Sequence, residues 1–455
     1  MKTLPAVEED YVCRFRDSLC LGDRDAATVY REVARNLLHF VRERSGHMDL
    51  SKKSLLAWMK ERRRHCALHR VEERAQMADR FLDWMKTNKH IPSNPFQALR
   101  SEYGQYLAPI VRALLGDEPQ AALEKLRPLP VFASAMGSLM RDHVALMRSL
   151  GYRYDANEGR LRRFDRFLQG RPDLVDQPLP RLIDAWRQGG TGVQRAYEAQ
   201  QCGRTLSKAQ ARLDSNAAII PTDRQLWRRV RASHRRPHIY TEEDIGKLLD
   251  TARDLPSRLS PLRTLSTYTM LLLTYCAGLR IQEVVNLNVG DVDLKDGTIE
   301  IRNSKFFKSR LLPLPPGVVK ALQHYLQERR KAGAPTADDE GLFWHTHRDR
   351  RYSKKAAQEL LSEVLRRSGM KTARGKAGPR VHDLRHAMVC NRMLSWYRQG
   401  INPQSHLAHL AAFMGHTDIQ YTLTYITVTP ELLQLASERF RQHAAHVLRN
   451  TGTSS

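Results

Sequence analysis

The chain has 455 residues and a formal net charge of +25, from 74 Lys and Arg against 49 Asp and Glu. This length is enough for two to four domains. With 41% apolar residues the chain is not a disordered tail, and the excess positive charge favours a polyanionic partner, nucleic acid first. The longest apolar stretch, 270–279, is too short to cross a bilayer, and the first residues carry acids where a signal peptide needs an apolar core. We therefore expect a soluble, cytoplasmic protein with no membrane partner.

The cysteine and histidine pattern predicts no metal site. The six cysteines contain no C-x-x-C pair and no spacing typical of a zinc finger, so free thiols are expected. His345 and His347 flank Thr346, but nothing near them completes a ligand set. We expect neither a metal nor another cofactor.

The first 125 residues are predicted to form a helical domain. Apolar residues at three- and four-residue spacing predict helices over 27–44, 52–64 and 71–88, and the segment IPSNP (91–95) is predicted to stop the last of these. Three consecutive arginines, 62–64, are either a solvated helix face or a contact with DNA.

A second helical domain is predicted over 130–223, with helices over 133–150, 157–169 and 191–201. Both N-terminal domains contain a helix rich in Arg, Phe and Leu, which is weak evidence for a duplication. The segment 224–240 is predicted to be an arginine-rich linker, either solvated or, as we favour, lying along a DNA backbone. Its arginines are Arg224, Arg228, Arg229, Arg231, Arg235 and Arg236.

The third domain, 241–455, is predicted to be mostly helical with a small antiparallel sheet. Thr241 followed by three acids is typical of a helix start, and the segments 299–302 and 311–314 flank a polar turn as in a hairpin. The predicted helices cover 242–253, 261–276, 280–287, 316–332, 353–368, 383–398, 404–414, 417–424 and 430–446. The predicted fold class is therefore mainly α and multi-domain.

Four motifs of this domain supply what metal-free cleavage of a phosphodiester requires. Arginine forks bind the charged oxygens, a base accepts the proton of the nucleophile, and a cation protonates the leaving oxygen. A side-chain nucleophile that holds the phosphate covalently conserves the energy for rejoining. The motifs are AGLRIQE with Arg280, NSKFFKSR with Lys305 and Lys308, HDLRH with His382 and Arg385, and GHTDIQYTLTY with His416 and Tyr425.

In order and spacing, this set resembles the tyrosine recombinases, or phage integrase family, over about 238–446. The resemblance implies that Tyr425 attacks the scissile phosphate, forming a 3′-phosphotyrosyl bond and releasing a 5′ hydroxyl. It also implies that Arg280 and Arg385 hold the phosphate and that His382 accepts the tyrosine proton. Lys305 would protonate the leaving oxygen, and His416 would hydrogen-bond the phosphate.

The resemblance further implies the partners and the domain roles. Residues 130–223 resemble a core-binding domain, which would grip double-stranded DNA at a specific recombination site together with the catalytic domain. Such enzymes work as tetramers on two duplexes, so a homotetramer or a hetero-assembly with related recombinases is expected. The helix 430–446 would either dock on a neighbouring subunit or pack on its own domain. The biological reaction could be integration, excision, transposition or resolution of a mobile element.

Several residues have competing interpretations. Lys305 is preferred to Lys308 as the acid because it directly follows the first strand, whereas Lys308 and Arg310 are expected to contact backbone phosphates. Glu283 is expected to orient nearby basic residues, because a carboxylate would repel phosphate. Residues expected to have no catalytic role are His386, His409 and Tyr421.

Two further patterns suggest other chemistry but only faintly. Asp291 and Asp293 form a D-x-D pair that could bind a metal, although the same stretch leads into the predicted hairpin. The segment 369–376 resembles a phosphate-binding loop, but it has one residue too many and lacks the required Ser or Thr, so no nucleotide is expected.

Three other functional classes remain open from the sequence. A type IB topoisomerase-like enzyme or a telomere-resolving enzyme would share the tyrosine chemistry. A non-catalytic DNA-binding factor would not need Tyr425. A metal-dependent transposase is the weakest alternative.

Overall fold

The computed structural model describes residues 4–19, 21, 24–233, 235–257, 260–302, 309–346, 349–372, 375, 378–416, 418–425, 431–438 and 440–441. Within these ranges the chain is mostly helical and carries two small antiparallel sheets. The predicted mainly-α fold class is confirmed.

The backbone forms two compact units. Unit 1 comprises Met1–Asp49, Arg80–His90 and Arg236–Ser455, and unit 2 comprises Leu50–Asp79 and Ile91–Arg235. The chain thus passes from unit 2 into the second half of unit 1 between Arg235 and Arg236, inside the arginine-rich segment.

The first helices are long and amphipathic. They are α1 (Ala6–Asp17), α2 (Arg24–Ser45), α3 (Lys52–His65) and α4 (Leu68–Thr87). In unit 1, Phe15 of α1 meets the edge of Phe81 of α4, with ring centroids 5.1 Å apart. In the same unit, Arg42 of α2 donates to the buried carboxylate of Glu8 at 2.9 Å.

Unit 2 continues with eight further helices in its described residues. They are α5 (Pro95–Tyr103), α6 (Leu107–Leu114), α7 (Pro119–Leu126), α8 (Gly137–Ser149), α9 (Asp155–Gln169), α10 (Leu179–Gln188), α11 (Val193–Gln210) and α12 (Arg224–Ala232). Pro95 follows the end of α4 as predicted, but it also begins α5, since proline fits the first helical turn and the side chain of Asn94 caps Phe96 N at 2.9 Å.

One hydrophobic core of unit 2 lies between α8, α9, α10 and α11. Phe164 and Trp186 are buried there with ring centroids 5.0 Å apart. The buried carboxylate of Asp165 accepts from Phe132 N at 2.7 Å and Ser134 N at 3.0 Å, which fixes the segment that leads into α8.

The arginine-rich segment predicted as a linker is helical over α12. The side chain of Asp223 caps it by accepting from Leu226 N at 2.8 Å, and Leu226 and Val230 are buried on one face. Burial of this apolar face stabilises a helix that the arginine content alone did not predict.

The second half of unit 1 contains the elements predicted for the third domain. They are α13 (Glu242–Arg253), α14 (Arg263–Cys276), α15 (Ile281–Asn286), β1 (Val292–Asp293), β2 (Thr298–Ile301), β3 (Arg310–Pro313), α16 (Pro316–Lys331), β4 (Trp344–His345), β5 (Arg350–Arg351), α17 (Lys354–Arg367), α18 (Asp383–Arg398), α19 (Pro403–Met414) and α20 (Ile419–Leu423). Residues 431–438 and 440–441 of the predicted last helix, 430–446, are helical, and 430, 439 and 442–446 lie outside the described residues.

The predicted hairpin is formed by β2 and β3. Ile299 pairs with Leu312 and Ile301 with Arg310, antiparallel, and β1 adds a third strand beside β2. Ile299, Ile301 and Leu312 are buried in one core with residues of α13, α14, α16 and α17. The hairpin is therefore anchored by its apolar face, while its turn, 303–308, lies outside the described residues.

None of the helices in the described ranges has the length and apolar character needed to cross a membrane. Within the same ranges, no group of three or more His, Cys, Asp or Glu side chains could hold a metal ion.

Candidate active site

Arg280 is placed by a glycine turn between α14 and α15. Gly278 has φ 59°, and a Cβ built on it would lie 2.2 Å from Cε of Met388. Glycine suits this position because it adopts positive φ without strain, whereas any other residue would be strained there and would also require the Met388 side chain to move. The turn leaves Arg280 as the residue that precedes α15, in extended conformation, with its side chain free to turn toward the site.

Glu283 holds three guanidinium groups together. Its carboxylate accepts from Arg280 Nη1 at 2.8 Å and from Arg310 Nη2 at 3.1 Å, and it lies 3.9 Å from Arg385 Nη1. Burial alone would raise the pKa of Glu283, but the adjacent Arg310 and the other arginines outweigh burial and lower it. Glu283 is therefore a buried anion that orients basic residues, as expected from the sequence.

Arg385 lies at the centre of the site and is fully buried. Its Nη1 donates to the carbonyl of Gly278, and its Nη2 donates to the carbonyl of Met414 at 2.6 Å. Burial, together with the charge of Arg280, lowers the pKa of Arg385 to about 10. Its buried Nε has no hydrogen-bond partner among the described residues, so this donor is available to an incoming acceptor.

His416 follows a second glycine turn at the end of α19. Gly415, with φ 69°, ends the helix, and a Cβ there would lie 2.6 Å from Arg310 Nη1. The ring of His416 has Nε2 3.1 Å from Arg385 Nη2 and Nδ1 2.8 Å from Thr422 Oγ1. Burial and the nearby Arg385 lower the pKa of His416 to about 4, so the ring is neutral at pH 7.

Tyr425 lies just after α20, and its ring is surrounded by basic groups. The ring centroid is 5.9 Å from that of His382, 5.2 Å from that of His416 and 5.4 Å from Cζ of Arg385. The backbone N–H of Tyr425 donates to Thr422 O at 2.9 Å, which ties the tyrosine to the end of the helix.

His382 and His386 flank the tyrosine from α18. His386 stacks on the Tyr425 ring with centroids 4.3 Å apart, and its Nδ1 lies 3.4 Å from the Tyr425 carbonyl oxygen. His382 is an exposed residue directly before α18. Partial removal from water, together with His386 and Arg385, lowers the pKa of His382 to about 4, which leaves a neutral ring able to accept a proton.

Comparison with known proteins assigns the chain to a family. The phage integrase family matches residues 239–431. A Sinorhizobium fredii protein named as an integrase/recombinase, y4rB, is 30% identical over 315 residues, which cover 68% of this chain and 98% of that protein. This chain belongs to the phage integrase family of tyrosine recombinases.

Other similar proteins carry related names. The tyrosine recombinase XerA of Pyrococcus furiosus is 27% identical over 205 residues, which cover 45% of this recombinase and 62% of XerA. A solved structure of the Tn1549 transposon integrase with a circular intermediate DNA covers 66% of this chain and 99% of that one, at 17% identity and a TM-score of 0.48. Family membership makes the chain a site-specific recombinase and does not favour the alternative functional classes.

The structure brings together five of the six residues predicted to carry the recombinase chemistry. They are Arg280, His382, Arg385, His416 and Tyr425. Lys305 and its competitor Lys308 lie outside the described residues.

The residues predicted to contact DNA lie in two different environments. Arg228, Arg229, Arg231, Arg235 and Arg236 are exposed. Arg310 has only 11% of its side chain exposed, because it pairs with Glu283 and donates to Phe413 O at 3.1 Å. In this arrangement Arg310 links the carboxylate of Glu283 to the end of α19.

Sequence reasoning missed Thr422, which is fully buried and bonds His416. It also assigned His386 no contact with Tyr425. The signal for Thr422 was its place in the motif, six residues after His416, but spacing alone cannot distinguish a buried hydroxyl from an exposed one.

The remaining candidate motifs have structural roles where they are described. Asp291 accepts from Asn288 N at 2.8 Å and pairs with Arg302 at 2.9 Å, while Asp293 accepts from two turn N–H groups. Tyr421 is 53% exposed. Four residues of the phosphate-loop-like region, 373, 374, 376 and 377, lie outside the described residues.

Proposed function

We propose that this recombinase cleaves DNA by attack of the Tyr425 hydroxyl on the scissile phosphorus. A bond forms between the tyrosine oxygen and phosphorus, the bond from phosphorus to the 5′ oxygen breaks, and a 5′ hydroxyl is released. In the reverse step, a 5′ hydroxyl attacks the phosphotyrosine and rejoins the strand. The carrying observation is that the Tyr425 ring lies within 6 Å of His382, His416 and the Arg385 guanidinium.

His382 accepts the proton of Tyr425 in this proposal. Its ring is neutral at pH 7 because its pKa is lowered to about 4, and its exposure leaves it accessible where DNA would enter. The neutral imidazole can accept a proton from the phenol of Tyr425, whose ring centroid lies 5.9 Å from that of His382.

Arg280 and Arg385 bind the two non-bridging oxygens of the phosphate. Arg385 already has a buried Nε without a partner among the described residues, and its other donors can exchange carbonyl oxygens for the more strongly attracting phosphate. Glu283 keeps both guanidinium groups in place before the phosphate arrives. Such preorganised donors stabilise the charge that builds up in the transition state.

Lys305 donates the proton to the leaving 5′ oxygen in this proposal. The assignment rests on its position directly after the strand that precedes the hairpin turn. Lys308 remains the competing acid. The two lysines are distinguished with a substrate whose leaving 5′ oxygen is replaced by sulfur, tested on Lys305→Ala and Lys308→Ala. Because sulfur leaves without a proton, this substrate restores cleavage only to the variant that lacks the acid.

In this proposal the core-binding domain and the catalytic domain bind the DNA together. We assign residues 130–223 as the core-binding domain, 241–455 as the catalytic domain and 1–125 as an additional helical domain. The exposed arginines of α12 and of the residues that follow it support a contact between the segment 224–240 and the phosphate backbone of DNA. A homotetramer, or a hetero-assembly with related recombinases, on two duplexes would complete the strand exchange.

The central test traps the covalent intermediate. A tiled set of nicked duplexes from the DNA that flanks the coding sequence is incubated with the full chain, and adducts are resolved on denaturing gels. We expect an adduct with the wild type and none with Tyr425→Phe, whereas Tyr421→Phe, changed at the exposed neighbouring tyrosine, retains it. Equal adduct formation by Tyr425→Phe would overturn the assignment.

Two further measurements separate the remaining alternatives. Adduct formation that is unchanged in EDTA supports metal-independent chemistry, and its loss would support a metal-dependent transposase. Strand exchange between paired duplexes that are positive in the adduct assay supports recombination. Relaxation of plasmid lacking these sites, without exchange, would instead support a topoisomerase-like activity.

A further inference from the structure

The hydrogen bonds of His416 define which ring nitrogen carries the proton. Nε2 faces Arg385 Nη2 at 3.1 Å, and a guanidinium has only donors, so Nε2 must accept. Since the ring is neutral, its proton is on Nδ1, which therefore donates to Thr422 Oγ1 at 2.8 Å.

As long as the ring stays neutral, the proposed reaction requires the opposite tautomer. To donate a hydrogen bond to a phosphate oxygen that takes the place of the Arg385 contact, His416 needs its proton on Nε2. Nδ1 then becomes an acceptor, and its partner must become a donor. A hydroxyl can serve in both states because it has one donor and two acceptor lone pairs, whereas a backbone carbonyl or a carboxylate can only accept.

We propose that Thr422 is a positioning residue that holds the His416 ring in place and lets the neutral ring change tautomer when the phosphate binds. This inference rests on the proposed function. Thr422 is fully buried, so its hydroxyl faces His416 and would not itself contact DNA. The carbonyl of Thr422 also accepts from Tyr425 N at 2.9 Å, so one residue links the histidine that binds phosphate to the nucleophile.

The neighbouring threonine shows what an ordinary hydroxyl does in this segment. Thr424 Oγ1 donates to Tyr421 O at 2.8 Å, the usual local bond of a threonine to a preceding carbonyl. Thr422 bonds to a ring six residues away instead. The pair therefore provides a matched control, with the same residue type in the same segment and different partners.

The kinetic test uses Thr422→Val, which keeps the branched shape and removes the hydroxyl, with Thr422→Ser and Thr424→Val alongside. We expect the single-turnover rate of adduct formation to fall about tenfold to a hundredfold in Thr422→Val, the effect of losing one buried hydrogen bond at a reacting group. DNA affinity should be unchanged, Thr422→Ser should recover most of the rate, and Thr424→Val should match the wild type. A full rate in Thr422→Val, with Tyr425→Phe inactive in parallel, would overturn this inference while leaving the proposed function intact.

A spectroscopic test needs no variant of Thr422. Long-range ¹H–¹⁵N spectra of protein with labelled histidine report the tautomer of each ring, and the His416 signals are identified by their loss in His416→Gln. In the free protein we expect the proton on Nδ1 of His416. In the complex of Tyr425→Phe with a duplex that forms an adduct with the wild type, we expect the proton on Nε2. A proton on Nε2 in the free protein, or no change on DNA binding, would overturn the proposal even if Thr422→Val failed to fold. If Tyr425→Phe itself formed an adduct, the proposed function would fail first.

Discussion

Glu283 offers the sharpest test of how the site is stabilised before DNA binds. Glu283→Gln keeps the shape of the side chain but removes its negative charge from contacts with Arg280 at 2.8 Å, Arg310 at 3.1 Å and Arg385 at 3.9 Å. The three guanidinium groups would then repel one another with no anion between them. Because Arg385 is fully buried, water cannot screen its charge effectively.

The structure allows the cost to be bounded. At an effective dielectric constant of about 20, two unit charges roughly 3 Å apart attract by about 5 kcal/mol, and the cost of burying them offsets much of this. Removing one member of a buried ion pair typically costs about 3–5 kcal/mol. Glutamine retains an oxygen that can accept one of the bonds, so we expect a loss of about 3 kcal/mol in the free energy of unfolding. In a domain of about 200 residues, a loss of this size lowers the melting temperature by about 6–12 °C.

Differential scanning calorimetry of the full chain measures the change. The control is Glu300→Gln, which alters a glutamate with a 40% exposed side chain on β2 whose partner, Arg302, is also exposed, and we expect no measurable shift. If Glu283→Gln melted at the same temperature as the control, the argument that this carboxylate holds the arginines together would be wrong. The adduct assay adds a second readout, since misplaced Arg280 and Arg385 should slow cleavage even below the melting temperature.

Three further predictions follow from single contacts. Burial lowers the pKa of His416 from 6.5 to about 4, so the unfolded chain takes up the proton first as the pH falls below ~6.5. After discounting for its partial exposure, about 1 kcal/mol of stability should be lost between pH 7 and pH 5, and urea unfolding of His416→Gln should lack this loss. Gly278→Ala should destabilise by about 2–3 kcal/mol, because its φ is positive and its Cβ would clash with Met388, whereas Gly246→Ala, with open space in α13, should stabilise slightly in the same thermal melts. Arg228→Ala should reduce the salt-dependence slope of DNA affinity by about 1, and an unchanged slope would argue against a phosphate contact.

The residues predicted for the site lie in short local motifs. Arg280, His382 and Tyr425 each lie at the end of a short segment whose neighbours set its backbone conformation. The strands of the hairpin were predicted within one residue, because an alternating segment and an apolar segment flank a polar turn. The local pattern could not predict the distances between the side chains of these separate segments.

Other features could not be read from the sequence for physical reasons. Helices α6 and α7 are only eight residues long, too short for apolar periodicity to stand out. The sequence showed the charge of Arg310 but not its pairing with Glu283, 27 residues earlier. A charged residue near a turn is usually solvated, and only the fold shows when a buried carboxylate captures it.

Two glycines link the backbone turns of the site to the side chains that these turns position. Gly278 and Gly415 both have positive φ, and each stands one or two residues before a side chain proposed to bind phosphate. In each case a Cβ would meet another part of the site, Met388 in the first and Arg310 in the second. In both segments, two or three consecutive residues therefore form the turn and also supply the side chain that the turn positions. Since a larger residue would strain the backbone at both glycines, and would also displace Met388 at the first or Arg310 at the second, loss of either glycine should slow catalysis even where the catalytic side chains are all retained.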